Sequence, residues 1–79
     1  MGKKSFKYDK ILCRKFGQKV SEFRQELAMT QDELAFRSNI SLSYMSAIER
    51  GITDITISAV KRIAKALGRN FLELFDFVK

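Results

Sequence analysis

Residues 30–51 read TQDELAFRSNISLSYMSAIERG. Polar, small and apolar positions follow each other here in an order that is neither random nor one continuous helix. Thr30 is a natural N-cap, and Glu33 three residues later makes the pair a capping box. Leu34 and Ala35 then face inward. Ser38-Asn39 breaks the pattern, and asparagine tolerates the left-handed backbone that ends a helix. Ser41 caps a second helix with Met45 and Ile48 inward, and Gly51 closes it. A short helix, a tight turn and a second helix are the layout of a helix-turn-helix. Ala35 is small because the two helices cross closely at that point, and Leu34, Ile40, Met45 and Ile48 form their shared seam. This spacing leaves Ser43, Ser46, Ala47 and Arg50 on the outer face of the second helix, with Leu42 and Tyr44 on its flanks. A helix that projects its first turn in this way fits the major groove of DNA.

Helical spacing continues on both sides. Leu12, Phe16, Val20, Phe23 and Leu27 form one stripe of a long first helix, with Asp9 as its N-cap. Ala28 and Met29 interrupt it. After the loop 52–55, Thr56 caps a fourth helix whose apolar stripe is Ile57, Val60, Ile63, Ala64 and Leu67, and Gly68 ends it. Asn70 caps a last helix over 70–79. The sequence therefore predicts an all-α chain of five helices, one domain over 1–79, with short loops that pack sequence neighbours together.

The balance of charge sharpens the reading. The chain has 79 residues, a net charge of +6 and a single cysteine. Lys3, Lys4, Lys7, Lys10, Arg14, Lys15, Lys19 and Arg24 face only Asp9 and Glu22 in the first third, and the remainder is balanced. Clustered positive charge is the footprint of a polyanion binder, although a charge run is also how a plain solvated face looks. Residues 1–8 form a basic arm that either reaches DNA or is simply a frayed end. One cysteine excludes a disulfide framework, and with no histidine there is no zinc site and no metal or cofactor is expected. The apolar runs are too short to span a bilayer, and MGKKSFKYDK has no apolar stretch behind its charge, so neither a membrane span nor a secretory leader is expected. Phe6 stands where a myristoylation motif needs Ser or Thr. These features fit a cytoplasmic setting. Catalysis is not expected, because Cys13 lies at the edge of an apolar stripe and the acids are spread over separate helices.

The 30–51 segment resembles the helix-turn-helix of the lambda repressor–Cro family, the Xre-like bacterial and phage regulators. The Thr-Gln start, the Leu-Ala pair and the Tyr-Met-Ser-x-Ile-Glu-x-Gly ending carry the likeness. It extends over about residues 13–75, because ISAVKRIAKALGRNFLELF is similar to the family's fourth and fifth helices. The chain's size is also similar to that of free-standing controller proteins of restriction–modification systems. The resemblance implies a lambda-repressor-like domain acting as a dimeric, sequence-specific regulator of transcription on double-stranded DNA with a palindromic operator. No small-molecule ligand is implied. Leu42, Ser43, Ser46 and Ala47 fall where family members read base edges. Gln31, Tyr44, Arg50, Thr53 and Thr56 fall on the DNA-backbone side. Arg24 and Glu49 match a structural salt bridge between the first and third helices.

The last helix carries Phe71, Leu74, Phe75, Phe77 and Val78, more apolar residues than so small a body can cover. An unpartnered apolar face signals an interface, and the resemblance makes residues 70–79 a dimerisation helix. Core packing alone accounts for Phe71 and Leu74; Phe75, Phe77 and Val78 point more strongly to a second copy. One departure stands out. Strong readout uses Arg or Lys on guanine and Asn or Gln on adenine, yet this reading face offers mainly small or apolar groups. Modest direct readout is expected, with more specificity from DNA shape and half-site spacing. The same weakness leaves room for a second function class, an antitoxin or protein-interaction adaptor built on the same fold.

Overall fold

The computed structural model describes residues 8–78; the basic arm, apart from Tyr8, lies outside them. Four α-helices follow in order: α1 Lys10–Glu26, α2 Gln31–Arg37, α3 Leu42–Arg50 and α4 Ile57–Leu67. A 3-10 turn, Phe71–Phe75, follows α4. There is no strand among the described residues.

Side chains placed at the helix starts explain the boundaries. The Asp9 carboxylate accepts the Leu12 N–H, and Ser41 and Thr56 accept from Tyr44 and Ala59. At α2 the capping box is complete: Thr30 Oγ1 accepts from the Glu33 N–H at 3.0 Å, and Glu33 Oε1 accepts from the Thr30 N–H at 2.7 Å. Those hydrogen bonds hold the Glu33 carboxyl below the usual carboxylate range, chiefly through the Thr30 backbone N–H. Asn39 takes φ +56°, the turn conformation its position requires.

Ala28, with φ +55°, takes the same left-handed conformation at the end of α1. The Met29 N–H reaches back to the Arg24 carbonyl at 3.1 Å, closing the helix as a glycine-type cap would, but with a Cβ present.

The core joins Phe16, Val20 and Phe23 of α1 to Leu34, Met45, Ile48, Ile63, Leu67 and Leu74. The α1 stripe is shorter than its periodicity suggests. Leu12 and Leu27 are exposed at its two ends, and Cys13 is buried instead. Burial and the nearby Asp54 and Asp9 push the Cys13 thiol up from its ordinary value. α1 and α3 approach closely at Gly17. A Cβ added at Gly17 would collide with the Ile48 carbonyl oxygen and sit 2.7 Å from that of Glu49. Gly17 is thus a contact residue: the cost of a glycine inside a helix, about 1 kcal/mol, is offset by the close approach it permits.

The fifth helix does not form. Asn70 does open the last element, with a capping box to Glu73, but the helical turns stop at Phe75. Leu74 is fully enclosed at 0 % exposure, so it is a core residue and not part of any docking face. Phe75 stacks against Phe16 at 5.1 Å between ring centroids and against Phe71 at 5.8 Å, and Phe77 lies 6.3 Å from Phe75. The tail folds back because these rings find apolar neighbours on the body. Phe75 and Phe77 are therefore half-buried, Phe71 and Val78 stay exposed, and Leu72, not singled out by the sequence, is 72 % exposed.

Candidate nucleic-acid interface

Packing Met45 and Ile48 inward turns the opposite side of α3 to solvent. Leu42 and Ser43 are exposed on its first turn, Ser46 and Ala47 are half-exposed, and Arg50 is exposed at its end. Arg50 Nε donates to the Ser46 carbonyl at 3.4 Å, a long bond that lies along the helix surface.

A buried polar network fixes this helix on the body. Arg24 Nε donates to Glu49 Oε2 at 2.8 Å, and Arg24 Nη2 to Glu49 Oε1 at 3.0 Å. Their side chains are only 14 % and 5 % exposed. Arg24 Nη1 also donates to the Met29 carbonyl, and Gln31 Nε2 donates to Glu49 Oε1 at 3.1 Å. A two-pronged guanidinium–carboxylate pair fixes orientation as well as distance. Here it ties the end of α1, the start of α2 and the end of α3 into one unit. Gln31 therefore has a structural partner, while its backbone N–H stands among the unpaired donors of a helix start.

The loop between α3 and α4 is braced from the same helix. The Tyr44 hydroxyl donates to the Asp54 carbonyl at 3.5 Å and accepts the Thr56 N–H at 3.4 Å. Tyr44 thereby contributes to loop geometry in addition to the surface it offers. Thr56 spends its oxygen lone pair on the Ala59 N–H, which leaves its hydroxyl proton to donate outward. Thr53 is half-exposed beside it.

Arg14 completes the surface, and its place follows from the glycines. Gly51 takes φ +71°, and a Cβ there would run into the Arg14 backbone. The start of α1 thus lies against the end of α3, with Cys13 Sγ 3.9 Å from Asp54 Oδ1. Arg14 is thereby carried next to Gly51, at the start of the 51–56 loop. Sequence spacing alone does not give this position for Arg14; the available signal is the charge cluster combined with two glycines, Gly17 and Gly51, that permit helix contact. Among the described residues no group of acidic, cysteine or histidine side chains has metal-site geometry, and no helix is long and apolar enough to cross a membrane.

Comparison with known proteins matches this arrangement. The helix-turn-helix family model covers residues 20–74. The control protein C.BamHI of Bacillus amyloliquefaciens is 40% identical over 63 residues, 78% of each chain. The crystal structure of the restriction-modification controller protein C.AhdI from Aeromonas hydrophila superposes with a TM-score of 0.78 at 35% identity, over 80% of this chain and 96% of that one. The wild-type restriction-modification controller protein C.Esp1396I superposes with a TM-score of 0.76 at 32% identity, over 94% and 90%.

Proposed function

The chain belongs to the helix-turn-helix family of DNA-binding transcriptional regulators, and from that premise we propose that it acts in the cytoplasm as a homodimer on a palindromic operator, as a restriction–modification controller. The observation that carries this reading is the exposed, small-sided face of α3, locked by the Arg24–Glu49–Gln31 network. In this reading Leu42, Ser43, Ser46 and Ala47 meet base edges. The two serines donate or accept hydrogen bonds, and Leu42 and Ala47 offer apolar contact to thymine methyl groups. The Gln31 backbone N–H, Tyr44, Arg50, Thr53 and Thr56 hold the sugar–phosphate backbone, and Arg14 joins them from α1. Backbone contacts set register, and base contacts set sequence. With two serines and two apolar groups on the reading face, much of the discrimination falls to DNA deformability and the spacing of two half-sites.

Selection of bound duplexes from a random pool at two salt concentrations tests the proposal. A palindrome with half-site centres about 34 Å apart is the expected product, with affinity dropping steeply as salt rises. Ser43→Ala and Ser46→Ala should change the ranking of operators. Arg14→Gln should weaken all duplexes alike and lower the salt slope by about 1. An asymmetric consensus would remove the homodimer, and no preference for duplex over heparin would remove the operator.

A further inference from the structure

A second basic surface lies between the C-terminal end of α2 and the C-terminal half of α4. It is a cleft of about 460 Å³ lined by Arg37, Ser38, Asn39, Arg62, Lys65 and Ala66. Among the described residues, none of its three cations has a carboxylate within 4.0 Å. The nearest acid in sequence on α2, Glu33, lies one turn before Arg37; it accepts the Thr30 N–H in the capping box, and the charge of Arg37 also acts on it, so Arg37 is the least free of the three. Arg62 is fixed in place, because its Nε donates to the Ser38 carbonyl at 3.0 Å, leaving the Nη donors of its guanidinium for another group. Ser38 adds an independent observation. It is 1 % exposed, and its hydroxyl is a buried side-chain oxygen with no hydrogen-bond partner. Native chains rarely leave a buried hydroxyl without a partner.

We infer that this cleft binds an oxyanion group, a phosphate or a carboxylate, with Arg62 and Lys65 as its charged clamp, Arg37 at its rim and the Ser38 hydroxyl as a neutral donor. A planar guanidinium held by one nitrogen presents a fork that matches two oxygens of such a group. Lys65 adds a point charge one helical turn away. The proposed DNA face uses the outer side of α3, the start of α2 and the 51–56 loop; this cleft uses the end of α2 and the C-terminal half of α4. The two surfaces draw on different residues, and an anion held here bears on the contact between α2 and α4.

The test is an amide-resolved NMR titration of the full chain at fixed ionic strength with sodium phosphate, citrate and a hexaglutamate peptide as separate probes. Saturable shifts confined to residues 37–39 and 62–66 are expected with at least one probe. Lys65→Gln, on an exposed side chain, should weaken that binding about tenfold, a change of about 1.4 kcal/mol. Ser38→Ala should weaken it less. Arg62→Gln is the stronger change but also removes a hydrogen bond to the end of α2, so Lys65→Gln carries the decision. Saturation by phosphate or citrate assigns a free anion. Saturation by the peptide alone assigns the acidic segment of a partner protein. Shifts that stay linear in concentration and survive Lys65→Gln mean an adventitious ion only, and the inference fails. It fails equally if Lys65→Gln leaves anion binding intact but lowers duplex affinity and its salt slope, because the cleft would then be part of the DNA surface.

Discussion

At the residue scale, the two kinds of glycine-like position make opposite predictions. Ala28 holds φ +55° with a Cβ, a conformation that costs an L-residue about 1–2 kcal/mol. Ala28→Gly should therefore raise stability by about 1 kcal/mol in urea unfolding, even after the greater freedom glycine gives the unfolded chain. Gly17→Ala should do the reverse. Its new methyl would meet two carbonyl oxygens of α3, and relief requires a helix to move, so a loss of about 1–3 kcal/mol is expected. The displaced α3 should weaken operator binding beyond what the stability loss explains. If Gly17→Ala binds DNA normally when fully folded, the α1–α3 crossing does not position the reading face. Glu49→Gln probes the same junction chemically. It leaves Arg24 largely buried opposite a neutral amide, and loss of one partner of a buried pair costs about 3–5 kcal/mol. Thermal unfolding at neutral pH measures it.

At the element scale, capping carboxylates couple the helix starts to pH. Glu33 and Glu73 are both held below the ordinary carboxylate value, each chiefly by the backbone N–H of its own cap residue, Thr30 and Asn70. Because the folded value is depressed, their contribution is present above the unfolded value near 4.5. It is lost as pH falls through the lower folded value. Stability should thus decline as pH drops below about 4.5, and Glu33→Gln with Glu73→Gln should flatten that decline; an unchanged acid limb in the double variant would place the titration elsewhere. The starts and stops of α1 to α4 are legible in the sequence for the same local reason. Asp9, Thr30, Ser41 and Thr56 cap through their own side chains, and Asn39, Gly51 and Gly68 end helices through their own backbones. The tail is not legible in this way. Asn70 announces a start, but where the element stops depends on Phe75 reaching Phe16, a contact across the fold that no local spacing encodes. The site divides the same way. The outer face of α3 follows from Met45 and Ile48 facing in, while the placement of Arg14 beside the 51–56 loop follows only from how α1 crosses α3.

At the scale of the whole molecule, the remaining question is which apolar surface a second copy would cover. The sequence offers five residues, and the fold withdraws Leu74 entirely and half of Phe75 and Phe77. Phe71, Leu72 and Val78 remain exposed near the end of the described chain. Contiguous exposed apolar patches on small proteins mark contacts with other molecules, so the dimer proposed above is expected to close over Leu72 and its neighbours. Two substitutions two residues apart then separate folding from association. Leu74→Ala removes a core side chain and should cost about 2–5 kcal/mol of stability. Leu72→Asp removes nothing from the core and should leave the melting temperature of dilute protein nearly unchanged. In sedimentation equilibrium, however, it should weaken dimer association at least about tenfold, the worth of 1.4 kcal/mol. On DNA the same variant should still occupy a half-site at low salt. It should lose the steep joint occupancy of two half-sites, because each subunit then binds without the effective concentration its partner supplies. A Leu72→Asp protein that remains a dimer and binds paired half-sites jointly would place the interface elsewhere on the surface, with the exposed Ile11 and Leu12 of α1 as the next candidates.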